Sequence, residues 1–500
     1  MDERKQKPEQ GVYHKSVQGG KWFILGTIFQ KAINIIPFLI LARILLPEDY
    51  GVITVVFTVT SFMDRFSHPG FGTALLQRQG SVEKYLDVVW TYDLLKSFVI
   101  AIIIFFGGGF ISDFFHVSQN HELIIRLSGL FVVIASLSNN KQIYFFKDLD
   151  FKKVFLRDSV GQIVYVISAV AWALLISTSA WALFFGYVGR YITGGIMSYV
   201  LYPNIPRLDF RFRLLKDLFG YGKWIYIHTI LEYLVSTVDT ILVGRLLNTN
   251  KLGLYSRARD LPTTISWPIL SIMNKVAFSA YAKIQDELGK VQEGFLKSLD
   301  VFFMVSIPFS LLLVFEGGSI VSVLLGRGWL SMVLPLKILA AGNVFLGLVT
   351  MVKPLLNAIG RPGTNVKISF LQLFLSSIFV YFGILWRDLI GAALAMSLAW
   401  FVLCLFVIFQ AKPILRIAVY RFKPIILSTG VASLSTFILA LSVHGYAHAH
   451  FSNSMIFVWA IFLGIWYVFV ALFVSKKMGS GPWFTLRSIY GELKIKQDAV

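Results

Sequence analysis

The chain has 500 residues, of which 56% are hydrophobic and only 15% charged, and its mean hydropathy is +0.70. Soluble domains are roughly half apolar and about a quarter charged, so this composition excludes a water-soluble fold and implies lipid as the solvent. The net charge of +19 would suggest nucleic acid in a soluble protein, but here the basic residues sit in short segments between apolar runs, where they orient a chain in a membrane.

A helix needs about 20 residues to cross the hydrocarbon, and open sheets are excluded there by their unpaired backbone groups. In chain order, a polar cytoplasmic segment at 1–21 precedes apolar runs at 22–46, 50–66, 88–111, 122–142, 158–178 and 180–201, which form a first lobe at 22–201. The first run is too long for a signal peptide and has no small-residue cleavage site after it, so it is expected to stay in the protein. A cytoplasmic interfacial linker follows at 202–221. From Ile205 to Tyr221 it alternates Arg or Lys with Leu and Phe, which predicts a helix lying at the interface. Runs at 222–247, 260–281, 299–325, 332–358, 366–386 and 389–410 form a second lobe at 222–410. Two more, 424–446 and 455–475, occupy the 424–475 region before a cytoplasmic tail at 476–500. The expected fold is all-α and polytopic, with about 14 transmembrane helices in two six-helix lobes plus two C-terminal helices.

Basic residues test this division, because cytoplasmic loops retain them. Loops on the amino-terminal side hold about 32 Lys and Arg, and loops on the far side about five. An even number of crossings then places both termini in the cytoplasm.

The chain also repeats itself. Gly20-Lys21-Trp22 lies over Gly222-Lys223-Trp224, and the same ungapped register pairs Thr27 with Thr229, Asn34 with Ser236, Arg43 with Arg245, Leu45 with Leu247 and Gly51 with Gly253. Six helices separate the copies, and an even-numbered unit keeps its orientation, so an axis along the membrane normal should relate the halves. Paired lobes of this kind suit alternating access about a midplane site.

An ionisable group in a spanning helix costs on the order of 3 kcal/mol, so each needs a partner or a wet cavity. Lys31 lies about nine residues into the first span, on one face with Thr27 and Asn34. Arg190 sits near the middle of the sixth, beside Gly186 and Gly189. In the seventh, His228, Glu232, Ser236 and Asp239 fall on one stripe. Lys96 follows Asp93 by three residues and can pair with it. The candidate substrate-binding residues are therefore Lys31, Asn34, Lys96, Arg190 and His228, and the acids placed to couple an ion are Glu232 and Asp239. A structural alternative is an ion pair such as Lys31 with Glu232. No phosphate-binding glycine loop, nucleophile elbow or metal-ligand spacing occurs, and Cys404 stands alone. No catalytic residue, cofactor or metal is expected.

The run Leu41-Ala42-Arg43-Ile44-Leu45-Leu46-Pro47-Glu48-Asp49-Tyr50-Gly51, with Gly72-Thr73-Ala74-Leu75-Leu76-Gln77-Arg78, resembles the amino-terminal signature of the polysaccharide transport family, the Wzx-type flippases of the MOP superfamily. The likeness continues through Asp239-Thr240-Ile241-Leu242-Val243-Gly244-Arg245, Gly253-Leu254-Tyr255-Ser256-Arg257-Ala258, Gly326-Arg327-Gly328-Trp329 and Ala358-Ile359-Gly360-Arg361-Pro362, over roughly residues 15 to 410. It implies a multi-pass flippase of the bacterial inner membrane that moves an undecaprenyl-pyrophosphate-linked oligosaccharide for cell-surface polysaccharide biosynthesis. The partners implied are this lipid-linked oligosaccharide, membrane lipids and polysaccharide assembly proteins. Coupling to a proton or sodium gradient would need an intramembrane acid. The rival readings are a multidrug exporter of the same superfamily, disfavoured by buried cations, and a membrane glycan polymerase or ligase, disfavoured by short outer loops.

Overall fold

Every regular element among the described residues is helical, as hydrocarbon requires of a backbone that must satisfy its own N–H and C=O groups. The computed structural model describes residues 39–67, 70–78, 81–283, 287–415, 419–450 and 453–488, together with positions 26, 29 and 33. Lys31, Asn34, Thr27 and the Gly20-Lys21-Trp22 triplet lie outside the described residues, as do the side chains of Gly222-Lys223-Trp224. Eight described helices are long and apolar enough to span a bilayer, and a pair bent by 68°, 119–136 and 140–147, makes nine if it is counted as one broken span. The chain divides by contacts into two units, Met1–Gly253 and Leu254–Val500.

In the first unit the long helices are α1 (Pro47–Ser67), α3 (Glu83–Phe114), α7 (Phe151–Leu175), α8 (Ala180–Leu201) and α9 (Leu215–Leu246), and the short ones are α2 (Phe71–Gln77), α4 (Gln119–Leu127), α5 (Gly129–Ser136) and α6 (Ile143–Lys147). The expected span at 122–142 is broken into α4, α5 and a 3-10 turn at Asn140–Gln142, just before α6. Asn139 explains its end. Its side chain accepts from Lys141 N at 2.9 Å and donates to the carbonyls of Tyr202 (2.7 Å) and Asn204 (3.0 Å), so it caps the next turn and ties it to the end of α8. An aromatic core of Phe57, Phe131, Phe184 and Tyr187 joins α1, α5 and α8, with centroid separations of 4.6 Å for Phe57 and Tyr187 and 4.9 Å for Phe131 and Phe184. Helix α9 leans on α1 through two tyrosines a double turn apart: Tyr226 donates to Phe66 O, and Tyr233 donates to Thr58 O at 2.6 Å.

The interfacial helix expected from Ile205 to Tyr221 is corrected. Residues 203–211 carry no helix, a single 3-10 turn covers Phe212–Leu214, and α-helix begins only at Leu215. The alternation of basic and apolar residues has a period of two, which is the repeat of extended chain rather than of helix.

Gly51 and Gly253, mates in the repeat, face one another. A Cβ on Gly51 would lie 1.8 Å from the carbonyl oxygen of Thr249, and one on Gly253 would lie 1.8 Å from that of Pro47. Pro47 and Thr249 are themselves mates in the same register, so the contact maps onto itself when the copies are exchanged. We expect Gly51→Ala or Gly253→Ala to force the two backbones apart at a cost of about 1–3 kcal/mol. A fall in the thermal transition of the detergent-solubilised protein checks this; unchanged midpoints in both variants would remove the crossing.

In the second unit α10 (Thr249–Lys283, begun in the first unit), α11 (Leu288–Leu324), α12 (Val333–Ala358) and α13 (Pro362–Leu415) share an apolar core that includes Phe302, Val349, Leu355, Ile368 and Leu403. At about 1.5 Å per residue the 54 residues of α13 are far longer than a bilayer is thick. The helix breaks at Arg387 and Asp388, whose backbones are non-helical, where the sequence places the boundary between 366–386 and 389–410. Helices α14 (Lys423–His450) and α15 (Asn453–Met478) pack as a pair against α11, with Tyr467, Ala432 and Ala471 buried beside Ile307 and Leu311.

Candidate functional site

The chemistry of the first unit converges on two adjoining cavities. The first, of about 340 Å³, is lined by α1, α3, α5, α8 and the turn at 138–142, with Asp64, Arg65, Trp90, Asp93, Lys96 and Asn140 among its residues. The second, of about 310 Å³, lies between α7 and α8 and includes Arg157, Asp158, Gly161, Arg190, Gly194 and Gly195. Both cavities share Ala135, Ser138, Gln142 and Tyr191, so Tyr191 stands at their junction. Each falls within the size range of small-molecule sites.

Lys96 anchors the first cavity. Its ammonium lies 2.9 Å from Asp64 Oδ1 and 3.3 Å from Asp93 Oδ1, and its side chain is only 9% exposed. The sequence shows the helical pair with Asp93, whereas Asp64 arrives from a different helix and could not be anticipated from spacing. Beside this cluster Arg65, exposed and also in the lining, has no ion-pair or hydrogen-bond partner among the described residues. Two buried polar atoms of the lining, Trp90 Nε1 and Asn140 Oδ1, have no hydrogen-bond partner among the described residues. A ligand hydroxyl or carbonyl would satisfy them.

In the second cavity the two arginines differ. Arg157 is engaged: it bonds Asp158 at 2.7–2.8 Å and the Gln142 side chain. Arg190 has no ion-pair or hydrogen-bond partner among the described residues. The glycines around it also differ. A Cβ on Gly186 would press on Ala169 at 2.8 Å, and one on Gly189 would meet Ser168 Oγ at 3.0 Å, so both serve the packing of α8 on α7. Among the described residues, Gly194 has nothing within 4 Å of its added Cβ, and Gly195 has Ser138 Oγ at 3.7 Å. Glycine inside a helix costs about 1 kcal/mol relative to alanine, and packing does not account for these two. They line the same cavity as Arg190, whose guanidinium has no ion-pair or hydrogen-bond partner among the described residues.

The stripe on α9 divides. His228 and Glu232 stand 52% and 36% exposed, with His228 Nε2 4.0 Å from Glu232 Oε1, and Ser236 is exposed as well. Asp239 is fully buried. The structure therefore brings Lys96 and Arg190 to adjoining cavities, leaves His228 and Glu232 on an exposed face, and encloses Asp239. Among the residues that sequence reasoning missed, Asp64 and Arg65 sit in the last turn of α1, where a helix-end reading hides them; Trp90, Asn140 and Tyr191 carry no sequence signal for a polar cavity.

A chain of long apolar helices built from an internal repeat, with polar cavities inside its helical bundle, defines a polytopic membrane protein of transporter type. Residues 40–334 match the polysaccharide biosynthesis protein family, and the chain belongs to it, in agreement with the resemblance of its motifs. Among its relatives, the lipopolysaccharide biosynthesis protein WzxC of Escherichia coli (strain K12) is 25% identical over 373 residues, covering 72% of this chain and 73% of the relative. The teichuronic acid biosynthesis protein TuaB of Bacillus subtilis (strain 168) is 25% identical over 328 residues, covering 65% and 67%. Among solved structures, the lipid II flippase MurJ in its inward closed conformation shares the fold, with a TM-score of 0.70, 15% identity and coverage of 91% of this chain and 98% of that one.

Proposed function

We propose that this protein is a flippase that carries a polyprenyl-pyrophosphate-linked oligosaccharide across the bacterial inner membrane by alternating access, for the synthesis of a cell-surface polysaccharide. The observation that carries the reading is Arg190, a cation with no ion-pair or hydrogen-bond partner among the described residues, in a cavity that also holds Gly194 and Gly195. A fixed cation in a low-dielectric wall is costly unless an anion uses it, and a pyrophosphate is such an anion. The polyprenyl tail can stay in lipid while the headgroup and first sugars occupy the cavities, where Trp90 Nε1 and Asn140 Oδ1 wait for partners. Family membership and the names of the relatives support a saccharide substrate, and the fold shared with a lipid II flippase supports a lipid-linked one. The excess of basic residues in alternate loops supports cytoplasmic termini. The site extends to Lys31, Asn34, Lys96 and His228 in this reading, with no cofactor beyond a proton or sodium gradient coupled through Glu232 and Asp239.

The deciding experiment is leaflet-resolved movement of a lipid-linked oligosaccharide in proteoliposomes, with and without an imposed ion gradient. The unsubstituted protein should translocate the substrate faster than empty vesicles do; equal rates would end the flippase reading. Glu232→Gln with Asp239→Asn should flatten the response to the gradient while leaving passive exchange. A full response in the double variant would retire these two acids as the coupling groups.

A further inference from the structure

The strap that replaces the expected interfacial helix has its own chemistry. It runs extended from Pro203 to Arg211 between α8 and α9, and it is pinned to the first turns of α3 by backbone donors. Arg207 N reaches Asp87 Oδ1 at 3.3 Å, and Asp209 N reaches Thr91 Oγ1 at 2.9 Å. The helix it is pinned to begins a candidate membrane span at Glu83, so the strap lies at the level where a span leaves the hydrocarbon.

Pinned in this way, the strap turns large apolar side chains outward: Ile205 is 84% exposed, and Leu208 and Phe210 are each 61% exposed. Leu208 and Phe210 fall at the two-residue spacing that puts side chains on one face of an extended chain, and the Phe212 ring, on the 3-10 turn that follows, lies 6.1 Å from that of Phe210. Cations flank this row. Asp209 and Arg211 satisfy each other at 2.6 Å, and these hydrogen bonds hold the Asp209 carboxyl below its usual range and keep it charged. The remaining positive charge therefore rests on Arg207, Arg213 and Lys216, all exposed and without an ion-pair partner among the described residues.

We infer that this strap is a binding surface for the acidic phospholipids of the adjacent leaflet, with Leu208, Phe210 and Phe212 dipping into the acyl boundary and Arg207, Arg213 and Lys216 bonding headgroup phosphates. An exposed row of Leu and Phe is unfavourable in water and favourable at that boundary. Cations beside it add attraction to anionic lipid of the kind polybasic segments show. Zwitterionic lipid would cover the apolar row equally well, so the charge is what commits the surface to acidic lipid.

The test places a fluorophore at Leu208→Cys in a Cys404→Ala background, in nanodiscs containing either brominated phosphatidylglycerol or brominated phosphatidylcholine. Quenching by the acidic lipid should exceed quenching by the zwitterionic lipid at least about threefold at low salt, and the ratio should fall toward one in high salt. Arg207→Gln, Arg213→Gln and Lys216→Gln together should equalise the two lipids while leaving both backbone pins and the thermal transition in place. Equal quenching in the unsubstituted strap, or quenching by aqueous iodide as strong as for free dye, overturns the proposal. So does loss of the acidic-lipid signal when polyprenyl pyrophosphate is added stoichiometrically, since the surface would then belong to that headgroup instead.

Discussion

Arg190→Ala should slow translocation of a lipid-linked oligosaccharide by about 10- to 100-fold without unfolding the protein. The magnitude corresponds to the net loss of about one hydrogen bond to a charged group, worth about 1.5–3 kcal/mol, of the two that the guanidinium can offer a phosphate. The absence of a stability penalty follows from the structure. Arg190 has no acidic partner among the described residues to be left uncompensated, and its stem only brushes the position above Gly161, where an added Cβ would sit 3.5 Å from Arg190 Cγ. Arg190→Lys keeps the charge but loses the planar fork, so it should recover part of the rate. Gly194→Leu offers an independent check, because it fills the cavity while leaving the cation's charge in place and should lower transport to a similar degree. If both Arg190→Ala and Gly194→Leu transport normally while the protein remains folded, the headgroup does not use this cavity.

Arg190 also shows how far the sequence could be read. Arg190 was legible because an arginine deep in an apolar run has few explanations, and depth is a one-dimensional property. The role of its surroundings was not. Gly186 and Gly189 flank it in sequence yet pack against Ala169 and Ser168, whereas Gly194 and Gly195 line the open space; only the placement of α7 separates the two pairs. The break at Arg387 and Asp388 was equally legible, since adjacent charges between two apolar runs have nowhere to go but the bilayer surface. The strap at 203–211 was misread despite a plain signal, because a basic and apolar segment next to a membrane suggests a helix before its period is counted. The bend within 119–147 was illegible for a different reason: Asn139 ends the helix through contacts to Tyr202 and Asn204, more than sixty residues away. The repeat was visible through Gly51 and Gly253, but only coordinates reveal that each glycine lies on the other copy's carbonyl.

Lys96 is the position where a structural and a transport role can be separated by experiment. Lys96→Met leaves Asp64 and Asp93 facing each other across a cavity with their shared counter-ion gone. Breaking a buried ion pair costs about 3–5 kcal/mol, and the lower end applies here because Asp64 is 44% exposed and partly screened by solvent. A loss of about 3 kcal/mol is large against the total stability of a folded domain, so the single variant should accumulate poorly and melt early. Adding Asp64→Asn and Asp93→Asn removes the like charges that the lysine no longer bridges and should restore much of the stability. The restored triple variant then addresses transport alone. If Lys96 lends its charge to the passing anion, the triple variant will be stable and slow; if it only holds α1 to α3, the triple variant will be stable and fast. The outcome that defeats both accounts is a Lys96→Met protein that is as stable and as active as the original, because a lysine 9% exposed between two carboxylates would then be neither a tether nor a ligand.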